Sequence, residues 1–322
     1  MSAQFEMQLY LSRPYLTRQQ ILCAQKNTIH DRRSYNRKKL LIIKFLTDLT
    51  LQLNLPRKTL ETAIYYYQRY HLFNLFETEL CYTVATSCLV LGCKQAETFK
   101  KANEICTLSL RLRKMSNINS EVLDAFKKRI FQIELRILES CGFDYRVNNY
   151  VHIDDYIFKF GKTYALDVNI CHTAWIIAYD VLKLDLLLTV PQHIIALATL
   201  KVACKLLEKP ENLCSQYEMG NTDRDLINEA YFSIINFYIN AFDLCDLKDN
   251  LPSYIPPISI ERFMVLKANS GPEEGLTELT ESDVGSDRFL EEQRQYSVRE
   301  RRYVLSTDIM RDEVEALKIS GR

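Results

Sequence analysis

Apolar residues between positions 35 and 245 recur at intervals of three and four: Ile42, Phe45, Leu46, Leu49 and Leu53 make one series, Leu60, Ala63, Ile64 and Tyr67 another. This spacing gathers side chains on one face of a helix of about 3.6 residues per turn. No comparable run alternates with the period of two that a half-buried strand requires. Boundary residues divide the stretch: Pro56 opens one helix, Ser120 with Glu121 and Asp124 opens another, and Gly142 closes the latter. The pattern predicts an all-α chain of about ten helices of ordinary length. The helix from Ser120 to Cys141 carries Val122, Phe126, Ile130, Ile133 and Ile137 on one stripe and Phe131, Leu135 and Leu138 on a second. A helix apolar over most of its circumference belongs in the middle of a bundle, so it is predicted to be the hub of the first domain.

The sequence also echoes itself. Thr62-Ala63 precedes Cys93-Lys94 and Thr173-Ala174 precedes Cys204-Lys205, each second copy lying 111 positions after the first. The apolar segments CYTVATSCLVLGCK and HIIALATLKVACK lead up to the two lysines. Two copies of one helical domain in tandem account for a fixed offset. The reading divides the chain into an N-terminal arm (1–34), a first domain (35–143), a second (144–245) and a tail (246–322). In the tail, Pro252, Pro256 and Pro257 are followed by Glu273, Glu274, Glu278, Glu281, Asp283, Glu291 and Glu292. An acid-rich segment buries little apolar surface, so the tail is predicted to be mostly irregular and partly disordered. A short helix at Glu261 to Lys267 and an Arg301 to Leu305 segment are either docking elements or solvated chain.

Composition narrows the function classes. The 41 basic and 41 acidic residues cancel, so no overall charge steers the chain to nucleic acid or an anionic membrane. Its longest uncharged runs, Leu80 to Cys93 and Leu186 to Leu200, fall short of the roughly 18 apolar residues of a membrane span. Ten cysteines without a C-x-x-C pair sit in apolar runs, as at Cys81, Cys88 and Cys93, which suits a reducing compartment. The first ten residues, with an acid at Glu6, lack a secretory pattern.

Signatures of catalysis are missing: there is no Gly-rich phosphate loop, no H-E-x-x-H and no G-x-S-x-G. Cys171-His172 and His193 have no companions at metal-ligand spacing and read as packing or surface residues. No catalytic residue, metal or cofactor is expected. Two charges interrupt apolar stripes. Glu134 lies three residues after Phe131 and four before Leu138, and Lys94 follows Val84, Ser87 and Leu91 at the end of its helix. A buried ion needs a partner, unless Lys94 serves its own helix C-terminus and Glu134 reaches solvent beside Arg136. In Tyr65-Tyr66-Tyr67-Gln68-Arg69-Tyr70 the spacing buries Tyr67 with Ile64 and leaves Tyr66 and Tyr70 on another side, for core and partner contact rather than base stacking. Arg32-Arg33 with Arg37-Lys38-Lys39 is either a nuclear import signal or a solvated helix start.

Over about residues 10 to 245 the chain resembles the cyclin family, and within it the transcriptional cyclins. Ser34-Tyr35 with its helix, TLETAIYYYQRYHLF, CYTVATSCLVLGCK and ELRILESCGFDY are similar to successive helices of a first cyclin box. Phe143-Asp144-Tyr145 with YVHIDDYIFKFG, and then TVPQHIIALATLKVACK, are similar to the linker, opening helix and third helix of a second. SRPYLTRQQI, PRKTLETA, LFETELCYTVATSCL and FQIELRILESCGFDYRVNNYVHID are similar to the cyclin (beta) subunits of fungal kinases that phosphorylate the C-terminal repeat domain of RNA polymerase II. The resemblance implies two tandem five-helix cyclin boxes behind an N-terminal helical arm. It implies a non-catalytic subunit that binds and activates a cyclin-dependent kinase by holding the kinase's αC helix inward. By position, Lys94 at the end of the third helix and Glu134 of the fifth would form the kinase-binding clamp. Implied too are a nuclear complex with a third (gamma) subunit, the polymerase repeat domain as its substrate, a role in transcription elongation and mRNA processing, and no direct contact with nucleic acid or membrane.

The chain departs from the cell-cycle cyclins in its second helix, which reads Thr62-Ala63-Ile64-Tyr65 in place of the M-R-A-I-L docking motif. The loop around Asn212 to Arg224 also departs in length, leaving the fourth helix of the second box poorly defined. Two alternatives stay open on sequence: a cyclin-fold general transcription factor of the TFIIB type, which binds DNA and polymerase and would show a basic face, and an enzyme whose site is built from unmarked residues.

Overall fold

The computed structural model describes residues 15–16, 18–143, 152–209, 221–250, 252–253, 255 and 258–270. The linker after Phe143, most of the segment expected to hold the second box's fourth helix, and the tail from residue 271, with Arg301 to Leu305, lie outside them. A short α1 (Arg18–Thr28) precedes five helices of a first bundle: α2 (Arg32–Gln52), α3 (Arg57–Phe73), α4 (Cys81–Gln95), α5 (Ala102–Leu112) and α6 (Ser120–Ser140). The second bundle holds α7 (Ile153–Thr163), α8 (Val168–Val181), α9 (Leu186–Thr189), α10 (Gln192–Leu206) and α11 (Asn221–Ala241). A 3-10 turn (Phe242–Leu244), α12 (Asp246–Asp249) and α13 (Ile260–Ala268) follow. α13 occupies the short helix expected at Glu261 to Lys267. Among the described residues there is no strand.

Local chemistry sets the helix ends. Asp31 accepts from the Ser34 N–H at 3.0 Å to start α2, and Asn119 accepts from Val122 N–H at 2.8 Å to start α6. At the far end of α6, Gly142 takes the left-handed conformation (φ 62°), and Phe143 N–H returns to Leu138 O at 2.8 Å. That closure satisfies a carbonyl the helix leaves open. Between α3 and α4 the backbones approach closely at Gly92, where a Cβ would lie 3.2 Å from Thr59 O. A side chain there would push the two central helices apart.

The hub is α3, not the predicted α6. From Thr59 to Phe73 every residue of α3 is buried, whereas α6 buries only Ile130, Ile133, Glu134, Ile137 and Ser140. The second apolar stripe of α6 turns outward: Phe131 is 46% exposed and Leu135 53%. The tyrosine run is corrected likewise, since Tyr65, Tyr66, Tyr67 and Tyr70 are all buried. Thr62 to Tyr65 are buried in the same helix and offer no docking surface. α3 is sealed because α2, α4 and α6 pack on one side of it while α1 and the second bundle cover the rest.

That covering is polar and specific. Arg57 pairs with Asp154 at 3.1 Å, donates to Trp175 O at 2.8 Å, and lies 4.1 Å from the Tyr179 ring centroid. Glu61 meets the His152 Nδ1 at 3.3 Å and accepts from Ile153 N–H at 3.4 Å. Gln68 donates to Leu184 O at 2.8 Å, and Lys39 of α2 pairs with Asp185 at 2.9 Å. Lys39 is therefore buried structure rather than part of an extended basic peptide. Such groups are tolerated inside because each gains a partner across the seam, and losing one partner strands the other.

The internal echo holds in three dimensions. α8 begins 111 positions after α3, and α10 begins and ends 111 positions after α4. Thr62 bonds back to Lys58 O at 2.8 Å and Thr173, its counterpart, to Asn169 O at 2.7 Å. The buried Arg69 and its counterpart Asp180 do the same job with opposite charge. Arg69 Nε donates to Ser140 O, at the end of α6, at 3.1 Å. Asp180 accepts from Tyr238 of α11 at 2.9 Å and, beyond that helix, from the Asp246 and Leu247 N–H groups at 2.6 and 3.0 Å. Each ties the chain at the end of the last long helix of its bundle back to the second helix of that bundle.

His71 is boxed in by the rings of Tyr35, Tyr67, Tyr70 and Phe76, with centroids 4.8 to 5.8 Å away. Burial pushes its imidazole down to about 3 from the ordinary 6.5. The unfolded chain therefore takes up a proton that the folded chain refuses, and stability falls as pH drops below about 6.5. We predict a loss of roughly 2 kcal/mol from this residue between about pH 6.5 and pH 5. His71→Phe keeps the aromatic packing and removes that share. Urea titrations at the two pH values check it, and equal pH sensitivity in both proteins would refute the attribution.

Candidate functional site

The two sequence-predicted site residues come together. α4 crosses α6, with the Ser87 hydroxyl donating to Ile130 O at 2.8 Å at the crossing. Two turns further along α4 stands Lys94, and one turn further along α6 stands Glu134; Nζ donates to Oε1 at 2.5 Å. Neither of the bland placements applies, since Lys94 does not merely serve its helix end and Glu134 does not turn to solvent beside Arg136.

Exposure of the pair is lopsided. The Glu134 side chain is 11% exposed and that of Lys94 55%. An ammonium has three N–H donors, and the pair uses one of them. Glu134 thus works as a buried anchor that aims a half-solvated cation outward from the end of α4.

Around this cation lies apolar surface. Phe131 has its ring centroid 5.5 Å from Lys94 Nζ, and Leu135 follows one turn later on α6. Phe99, in the loop after α4, is 85% exposed. The loop is held in shape: Glu97 takes a left-handed conformation (φ 54°), Thr98 N–H returns to Cys93 O at 2.9 Å, and the Thr98 and Thr59 hydroxyls meet at 2.8 Å. Phe131 thus sets an exposed apolar ring beside the charge, with Leu135 and Phe99 exposed on the same helix and in the loop after α4. The sequence reading missed the exposure of Phe131 and Leu135 by assigning their stripe to the interior. It passed over Phe99 because a single loop aromatic carries no periodic signal.

The counterpart of Lys94 in the second bundle is differently placed. Lys205 donates to Ser270 just beyond α13 at 2.9 Å and lies 5.0 Å from the Tyr231 ring centroid. α13 packs along α11, its fully buried Phe263 stacking on Tyr238 at 4.4 Å. The face open in the first bundle is thus covered by the chain's own helix in the second.

Among the described residues no group of three or more His, Cys, Asp or Glu is placed to hold a metal ion, and no helix is long and apolar enough to cross a membrane.

The pair should be worth about 1 kcal/mol in the isolated chain, because one member is half in water. We predict that a double-mutant cycle of Lys94→Ala and Glu134→Ala, read by urea unfolding, gives a coupling near that value. A coupling indistinguishable from zero would mean that the two are not joined in solution.

Comparison with known proteins assigns the architecture. The cyclin N-terminal domain family matches residues 11–146. CTD kinase subunit beta of Saccharomyces cerevisiae is 58% identical over 97% of this chain and 97% of its own. The Schizosaccharomyces pombe protein of the same name is 31% identical over 52% of this chain and 51% of its own, and human Cyclin-K 28% identical over 51% and 28%. A chain in the crystal structure of the yeast RNA Pol II CTD kinase CTDK-1 complex superimposes with a TM-score of 0.89 at 58% identity, covering 96% of this chain and 100% of that one. With two helical bundles repeating at a fixed offset and a relative this similar along nearly its whole length, this chain belongs to the cyclin family.

Proposed function

We propose that this chain is the regulatory cyclin subunit of a kinase that phosphorylates the C-terminal repeat domain of RNA polymerase II. The observation that carries the reading is the Lys94–Glu134 pair, formed, half-exposed and set beside the exposed Phe131. Similarity to CTD kinase subunit beta over nearly the whole chain supports it. On this reading the first bundle presents a rigid face to the catalytic subunit, and Lys94 completes its donors on backbone carbonyls of that partner. Docking energy then holds the kinase's αC helix inward, where its glutamate can orient the lysine that binds ATP phosphates. This chain supplies binding free energy and no reacting group. A third (gamma) subunit, action in the nucleus on transcription elongation and mRNA processing, and the absence of direct nucleic-acid contact belong to the same proposal.

Lys94→Ala and Glu134→Ala should each weaken binding to the catalytic subunit by roughly 2 to 5 kcal/mol while leaving the chain folded. Calorimetric titration with the catalytic subunit, alongside phosphorylation of a repeat-domain peptide, measures both consequences. Unchanged affinity and activity in both variants would overturn the assignment of this face.

A further inference from the structure

A second concavity adjoins the docking face. The C-terminal end of α3, the loop into α4 and the outer side of α6 enclose a groove of about 650 Å³. Its apolar wall is made by Leu75, Leu80, Val84 and Leu135, with the exposed Glu77 and Glu139 at its edge. Arg136, exposed and one turn before Glu139 on α6, also lines it. Neither glutamate has an ion-pair partner among the described residues. The groove therefore offers an apolar slot edged by two carboxylates and one guanidinium, a net negative rim, with a volume within the range of about 300 to 1,000 Å³ usual for ligand sites.

Position decides what fills it. Leu135 belongs both to this groove and to the exposed stripe beside Glu134. From Glu134 to Glu139 the helix advances about 7.5 Å, so a chain seated on the Lys94–Glu134 pair reaches the groove without leaving α6. Leu75, 55% exposed, continues the apolar surface on the opposite bank.

Resting on the proposed role of the Lys94–Glu134 face, we propose that this groove is a second docking subsite for the same catalytic subunit. It takes a segment in which a bulky apolar side chain enters the slot and a neighbouring Lys or Arg meets Glu77 and Glu139.

The test uses the assembled complex. A photo-crosslinking amino acid, p-benzoylphenylalanine, replaces Leu75 in one preparation and Phe131 in another. Both adducts should map to the catalytic subunit, the Leu75 adduct to a peptide with a basic residue beside an apolar one. A Leu75 adduct to any other subunit, to residues 1–13 of this chain, or to nothing overturns the subsite. An adduct from Phe131 to the kinase in that case leaves the main docking face standing, so the two failures are told apart. Independently, the Glu77→Lys, Glu139→Lys double variant should keep its thermal midpoint, both residues being exposed. It should bind the catalytic subunit about tenfold more weakly at low salt, with the difference shrinking as salt is raised. Equal affinity of variant and wild type at low salt rejects the charge complementarity and with it the proposal.

Discussion

The first bundle is arranged around α3, a helix with water on almost none of its circumference. Burying a helix so completely requires two separate bodies to close on it, and its sequence is suited to both. Leu60, Ile64 and Tyr67 belong to the core, while Arg57, Glu61 and Gln68 answer polar groups of the second bundle. Because those polar contacts are inside, the relative placement of the two bundles is determined by discrete pairings rather than by apolar contact alone. The seam thereby ties the first bundle to the second through named polar pairs.

The opposite side of that bundle is left unfinished in a controlled way. Glu134 is nearly buried and Lys94 is not, so the anion is the fixed element and the cation the presented one. Exposed aromatic and leucine side chains beside them would lower solubility in a chain working alone. Their presence next to an aimed charge is economical only if another surface covers them. In the second bundle the corresponding face is closed, for there the equivalent Lys205 is met by Ser270 and the neighbouring helix lies under α13.

The repeat also shows how two copies of one architecture diverge. Arg69 and Asp180 stand at the same station and secure the same junction, yet one addresses carbonyl groups at a helix end and the other N–H groups at a helix start. Charge sign follows the polarity of the backbone each must meet. Within this framework the 111-residue offset is the spacing of two structural modules, with the identities at each station free to change.

Period and punctuation were enough to determine helices, their approximate ends at Pro56, Ser120 and Gly142, the duplicated bundle, and Lys94 and Glu134 as charges out of place. These are local properties, carried by residues a few positions apart or by a constant interval. Which apolar stripe of α6 lies inside, and that all four tyrosines of α3 are buried, was decided only by the tertiary structure. Periodicity counts apolar faces but does not say how many neighbours a helix has. α6 has fewer than its stripes suggest and α3 has more, because a second bundle from a distant part of the chain lies against it. The joining of Lys94 to Glu134 is likewise a property of how α4 crosses α6, forty residues apart in the chain.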